Sequence, residues 1–132
     1  MLLEPSLITV LSLFFYFILT INVGKARMKY KVMPPATTGD ENFERVLRVQ
    51  QNTLEQLVFF LPLLWLFSFY VSSLWGGALG AIWLVGRVFF ALGYYEAPEK
   101  RTTGFAISSL SSIILLVGSL VGMILTARHS LQ

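Results

Sequence analysis

The run QLVFFLPLLWLFSFYVSSLWGGALGAIWLVG, from Gln56 to Gly86, contains no charged residue. A helix crossing a bilayer needs about 20 apolar residues, so this stretch is too long for one span. Near its middle stand Ser72, Ser73, Gly76 and Gly77, small residues that favour a tight reversal. The run therefore reads as two spans joined by a short turn. Two further charge-free windows flank it, Pro5 to Gly24 and Thr102 to Ala127. The 132-residue chain is 55% hydrophobic and 13% charged, with a mean hydropathy of +0.70. That leaves too little polar surface to wrap a soluble globule of this size. Alternating strands are absent, and open backbone is not tolerated in hydrocarbon, so the spans must be helices. The expectation is an all-α integral membrane protein: one domain, residues 1–132, built as a four-helix up-down bundle with spans near 6–23, 43–71, 75–95 and 103–127.

The second span is polar at its start. Its apolar part, Leu57 to Val71, is short, so the turns before it should line a wet or protein-filled cavity. At the N-terminus, Met1 to Pro5 carries Glu4 and no basic cluster, no small-residue cleavage pattern follows, and Lys25, Arg27, Lys29 and Lys31 close the apolar stretch. This reads as a retained first span and not a signal peptide. Nine of the ten basic residues fall in or near the first and third loops, leaving only Arg128 at the other end. The positive-inside rule places those loops in the cytoplasm. The net charge of +3 is thus a topology signal, with no basic, aromatic-interleaved surface for nucleic acid.

The chain has no cysteine and one histidine, His129, in its last four residues. Disulfides and thiolate metal sites are excluded, and a metal or Ser-His centre is not expected. Chemistry must rest on carboxylate, guanidinium, phenol or a bound molecule. At 100° per residue, Arg48, Asn52 and Glu55 fall within about 60° of one another on the second helix. On the third helix Arg87 and Tyr94 lie seven apart, with Phe90 and Ala91 between them on the same side. Ionised groups within a bilayer are functional candidates, and an ion pair of Glu55 with Arg87 or Arg48 is the expected compensation for their burial. Pro98 should end the third helix. Lys100 and Arg101 follow it at a membrane boundary, where composition alone makes them topology anchors. Gly76 with Gly80, and Gly118 with Gly122, suit close helix contacts.

FERVLRVQQNTLE (Phe43–Glu55), the Gly86-Arg87-Val88 triplet and GYYEAPEKRTTG (Gly93–Gly104), with KARMKYKVMPP (Lys25–Pro35) and Thr37-Thr38-Gly39 before them, resemble the membrane-associated eicosanoid and glutathione metabolism family. The likeness runs from about Ile21 to Phe105 with the family's order and spacing. It is nearest to the branch of type 2 microsomal glutathione transferases, cysteinyl-leukotriene synthases and lipoxygenase-activating proteins. The resemblance implies a homotrimer of four-helix subunits with a cytoplasm-facing glutathione site at each subunit interface. It also implies residence in the endoplasmic reticulum of a eukaryote or the inner membrane of a bacterium. Arg48, Asn52, Glu55 and Tyr94 stand where the family grips glutathione, Arg27 and Gln50 complete the site, and Arg87 lies beside it. Arg101 stands at the thiol-activating position. Phe90 departs, replacing a tyrosine of leukotriene-forming members.

The expected function is a glutathione-dependent transferase or peroxidase acting on a lipophilic electrophile or lipid hydroperoxide drawn from the membrane lipid. That substrate would lie in an apolar groove near Leu57, Leu61, Trp65 or the fourth helix. A non-catalytic lipid-binding scaffold and a small four-helix exporter are the alternatives. Glutathione's carboxylates and ammonium match the arginines and Glu55.

Overall fold

The computed structural model describes residues 2–132. Its helices are α1 (Leu3–Tyr30), α2 (Glu41–Tyr70), α3 (Ser73–Glu96) and α4 (Thr102–Ser130), with a 3₁₀ turn, Pro98–Arg101, leading into α4. No strand occurs among the described residues. All four helices are long and apolar enough to cross a membrane. Each outruns its apolar window, because backbone hydrogen bonding continues into the polar turns wherever a cap permits.

The caps are visible. Asp40 opens α2 by accepting from the backbone N–H groups of Asn42 and Phe43 at 2.8 and 3.1 Å. At 1.5 Å per residue the 30 residues of α2 reach about 45 Å, well beyond a hydrocarbon core of about 30 Å, so its polar first turns project out of the apolar layer. The turn inside the charge-free run falls at Val71 and Ser72, and the Ser72 hydroxyl accepts from Trp75 N–H to start α3. Ala97 is extended ahead of Pro98, as sterics before proline require, and α3 stops there. Pro62 lies within α2 without ending it.

Cross-helix contacts establish the up-down order. Gln50 bonds Thr20 and Trp65 bonds Thr9, which makes α1 and α2 antiparallel. Ser111 donates to the Leu79 carbonyl and Gly104 abuts Phe90, which makes α3 and α4 antiparallel. The small residues sit where this order brings backbones together. Gly76 faces Ser68, Gly80 faces Ile8 and Leu64, Gly118 faces Phe67 and Gly122 faces Val71, all within one chain. The central core gathers Ile8, Leu57, Phe60, Leu64, Phe67, Trp83 and Leu115. In it Phe60 and Trp83 stack with ring centroids 3.8 Å apart. Outside, Phe14, Phe17, Val58, Phe69, Leu92 and Leu120 remain exposed. Apolar surface on this scale suits lipid and not water.

Candidate functional site

The polar start of α2 meets the end of α3 and the start of α4 at a cavity of about 510 Å³. From α2 it takes Arg48, Gln51, Asn52 and Glu55; from α3, Phe90 and Tyr94; from the 3₁₀ turn and α4, Arg101, Thr102 and Phe105. The structure thus brings together Arg48, Asn52, Glu55, Tyr94 and Arg101 from the residues singled out in the sequence. Helical spacing explains the α2 contribution, since Gln51 lies only about 60° from Arg48 on the same wheel. Gln51 was legible by that rule, and Phe90 by its place one turn before Tyr94. Thr102 and Phe105 lie at the end of the motif region but were not singled out, because their position beside the cavity depends on where α4 crosses α3.

Beneath the cavity lies Arg87, wholly buried. The expected ion pair with Glu55 does not form. Arg87 donates instead to Asn52 Oδ1 at 2.7 Å, Thr53 Oγ1 at 2.9 Å and Ser108 Oγ at 3.4 Å. Its guanidinium also lies 4.1 Å from the centroid of the Phe90 ring. Neutral oxygens and an aromatic face replace the carboxylate because Asn52 and Thr53 lie at Arg87's level, a turn ahead of Glu55. One consequence concerns Asn52. Arg87 can only donate, so the Asn52 carbonyl oxygen must face it, and the amide N–H₂ is left for the cavity.

Nor does Glu55 pair with Arg48. Seven residues separate them, about 10 Å along the helix axis. Lys100 with Glu96 is the ion pair among the described residues, and neither Arg48 nor Glu55 makes a hydrogen bond to another of them. The cavity therefore presents an unpaired cation and an unpaired anion. Arg101, exposed at the rim, donates to the Pro98 carbonyl at 2.5 Å and lies 5.6 Å from the Tyr94 ring centroid. These contacts hold it beside the cavity with its remaining donors free.

Arg27 and Gln50 lie outside this cavity. Arg27 donates to the carbonyls of Val32 and Ala36 at 3.2 and 2.8 Å and covers the Phe43 ring, clasping the α1–α2 loop. Gln50 points at α1, where it donates to Thr20 at 3.1 Å. On the α2 wheel it is about 160° from Arg48, which its spacing dictates. His129 belongs to the last turn of α4, at the opposite end of the bundle from Arg101.

The apolar groove follows the expectation at the fourth helix and departs from it on the second. Leu57 is in the core, and Trp65 bonds Thr9 of α1. The groove runs instead between α2 and α4, about 500 Å³ lined by residues including Val58, Phe59, Pro62, Leu63, Ile113 and Leu116. It begins one turn past Glu55 on α2 and one turn past Phe105 on α4.

Comparison with known proteins bears on this pairing of a charged cavity with an apolar groove. The profile of the MAPEG family matches residues 5–121. The chain belongs to the MAPEG family. Among relatives, microsomal glutathione S-transferase 2 of Homo sapiens is 44% identical over 101 residues, covering 76% of this chain and 69% of its own. An uncharacterized protein of Synechocystis sp. is 60% identical over 131 residues, 99% of this chain and 96% of its own. Leukotriene C4 synthase of Cavia porcellus is 29% identical over 117 residues, 89% and 78% of the two chains. The MAPEG match spans parts of all four helices, so the cavity and the groove both lie inside it.

Proposed function

We propose that this protein is a glutathione-dependent transferase that also reduces lipid hydroperoxides. The observation that carries the reading is the unpaired Arg48 and Glu55 in one cavity with Arg101 at its rim. Glutathione has two carboxylates, one ammonium and one thiol. Arg48 takes a carboxylate through its guanidinium fork, Glu55 takes the ammonium, and Asn52 and Tyr94 supply further hydrogen bonds. The cavity lies within the size range of small-molecule sites, about 300–1,000 Å³.

Arg101 acts on sulfur. A cysteine thiol titrates near pH 8.5, and bringing it to about 6 asks for about 3.4 kcal/mol of preferential interaction with the thiolate. A guanidinium beside sulfur in a partly desolvated site supplies energy of that order. With an aryl halide the thiolate attacks the ring carbon, a C–S bond forms, halide departs, and the thiol proton has gone to solvent. With a hydroperoxide the thiolate attacks the terminal oxygen and the O–O bond breaks, releasing the alcohol. A second glutathione then completes the disulfide, with water as the other product. The groove between α2 and α4 holds the lipophilic partner next to the sulfur.

In this reading the active form is a homotrimer, in which Arg27 and Gln50 of one copy complete the cavity of the next, and the site opens to the cytoplasm. Glutathione titration followed by the ultraviolet absorbance of the thiolate at pH 7 tests the central step. Wild type should show a saturable thiolate band, and Arg101→Ala should bind glutathione without it. Saturable binding with no thiolate band in wild type would sink the mechanism.

A further inference from the structure

Another cavity, about 220 Å³, opens at the same end of the bundle on the α1 side, floored by Val46 of α2 and bordered by α3. Lys25 and Lys29 line it with Asn22 and Tyr30, and α3 adds Tyr95. The two lysines are one turn apart on one face and exposed, and neither forms an ion pair among the described residues. Lys29 lies 5.3 Å from the Tyr30 ring centroid. Asn22 Nδ2 donates to the Tyr95 hydroxyl at 3.2 Å, which leaves the phenol proton free to donate outward. Two ammonium groups and a phenol donor around one small cavity suit an oxyanion.

Depth identifies the kind of oxyanion. The apolar stretch of α1 ends at about Val23, and at 1.5 Å per residue Lys25 and Lys29 lie about 3 and 9 Å further along the axis. The polar layer of a bilayer occupies about 5–7 Å on each side of its hydrocarbon core, so both ammonium groups reach phosphate depth. Directly below, one turn back on the same faces, Ile18, Ile21 and Leu92 are exposed and apolar. We propose that this pocket binds the headgroup of an anionic phospholipid, with its phosphate between Lys25 and Lys29 and its acyl chains along Ile18, Ile21 and Leu92. The tyrosines sit where interfacial aromatics belong.

The test uses the full chain in neutral detergent, with phosphatidylglycerol and phosphatidylcholine added at equal mole fraction and bound lipid counted by native mass spectrometry. Two lysines at about 1 kcal/mol each predict about a thirtyfold preference for phosphatidylglycerol, shrinking in high salt. The double substitution Lys25→Gln/Lys29→Gln should abolish the preference, Lys25→Arg/Lys29→Arg should keep it, and Lys31→Gln should not change it. The glutamine substitutions are at exposed positions, and the melting temperature in phosphatidylcholine checks that the fold survives. Equal binding of the two lipids overturns the proposal, as does a preference that outlives the double glutamine change. Displacement of the lipid by millimolar inorganic phosphate would show a site for a soluble anion and overturn it equally.

Discussion

Arg48 and Glu55 carry opposite charges on one helix face and do not neutralise each other, so a zwitterion can engage both. Each is exposed and bonded to no described residue, so removing either should cost binding and spare the fold. Arg48→Ala and Glu55→Gln are each expected to weaken glutathione binding by about 2 kcal/mol, on the scale of losing a charged partner, with a melting temperature near wild type. Calorimetric titration alongside thermal unfolding checks this; early melting with normal binding would assign the residue to structure alone. Arg101 differs, because in the proposed mechanism it acts in the reaction more than in capture. In Arg101→Ala the pH dependence of kcat/KM should move toward the ordinary thiol range near 8.5, with kcat falling more than glutathione affinity. A parallel fall of both would make Arg101 a binding group only. Phe90, packed between Arg87 and the cavity, offers no hydrogen bond. Phe90→Tyr is expected to shift the preference among epoxides, hydroperoxides and aryl halides while leaving the thiolate band intact, and a turnover panel of the three classes measures it.

At the scale of elements, the site depends on the crossing of α3 and α4. Gly104 stands at the closest approach, where an added Cβ would meet Phe90 N at 2.2 Å and the Gly86 carbonyl oxygen at 2.5 Å. Both atoms are backbone and cannot swing aside, so the helices must separate. Gly104→Ala is therefore expected to destabilise the bundle by about 2 kcal/mol or more, within the range for overpacking, and to cut activity by moving Arg101 away from Tyr94. Thermal unfolding and turnover together report it, and a wild-type melting temperature with full activity would show that the crossing is more pliant than its geometry. The same crossing explains the gap in what could be read beforehand. The stripe of Arg48, Asn52 and Glu55 follows from helical period alone, and so does the exclusion of Gln50 from it. The presence of Thr102 and Phe105 beside that stripe does not, since it is set by how far α4 slides along α3.

For the whole molecule, Arg27 and Gln50 pose the main question. They face away from the cavity of their own chain, held by Ala36, Val32 and Thr20. In the proposed trimer they serve a neighbour, which a complementation experiment can detect. Arg101→Ala and Arg27→Ala should each lose activity alone, and co-expression of the two should restore part of it through mixed assemblies with one intact cavity. No recovery from assemblies shown to be mixed would mean that each chain builds its site unaided. Light scattering of the detergent-solubilised protein should give the mass of three copies.

The sequence by itself determined the four spans, their turns and the polar face of α2. These depend on hydrocarbon thickness, helical period and the caps at Asp40, Ser72 and Pro98, all local properties. Likeness to the family added the roles proposed for Arg101 and Tyr94, which composition would have left as a membrane anchor and an interfacial aromatic. Only the tertiary structure decided that Arg87 is held by Asn52, Thr53 and Ser108 and not by Glu55, and that the groove runs between α2 and α4. Both outcomes depend on the axial register of packed helices. That register is set where small residues let helices close on one another, at Gly76 and Gly80 of α3 against Ser68 and Leu64 of α2, at Gly118 of α4 against Phe67 of α2 and at Gly104 of α4 against Phe90 of α3, and the spacing within one helix carries no information about its depth against another.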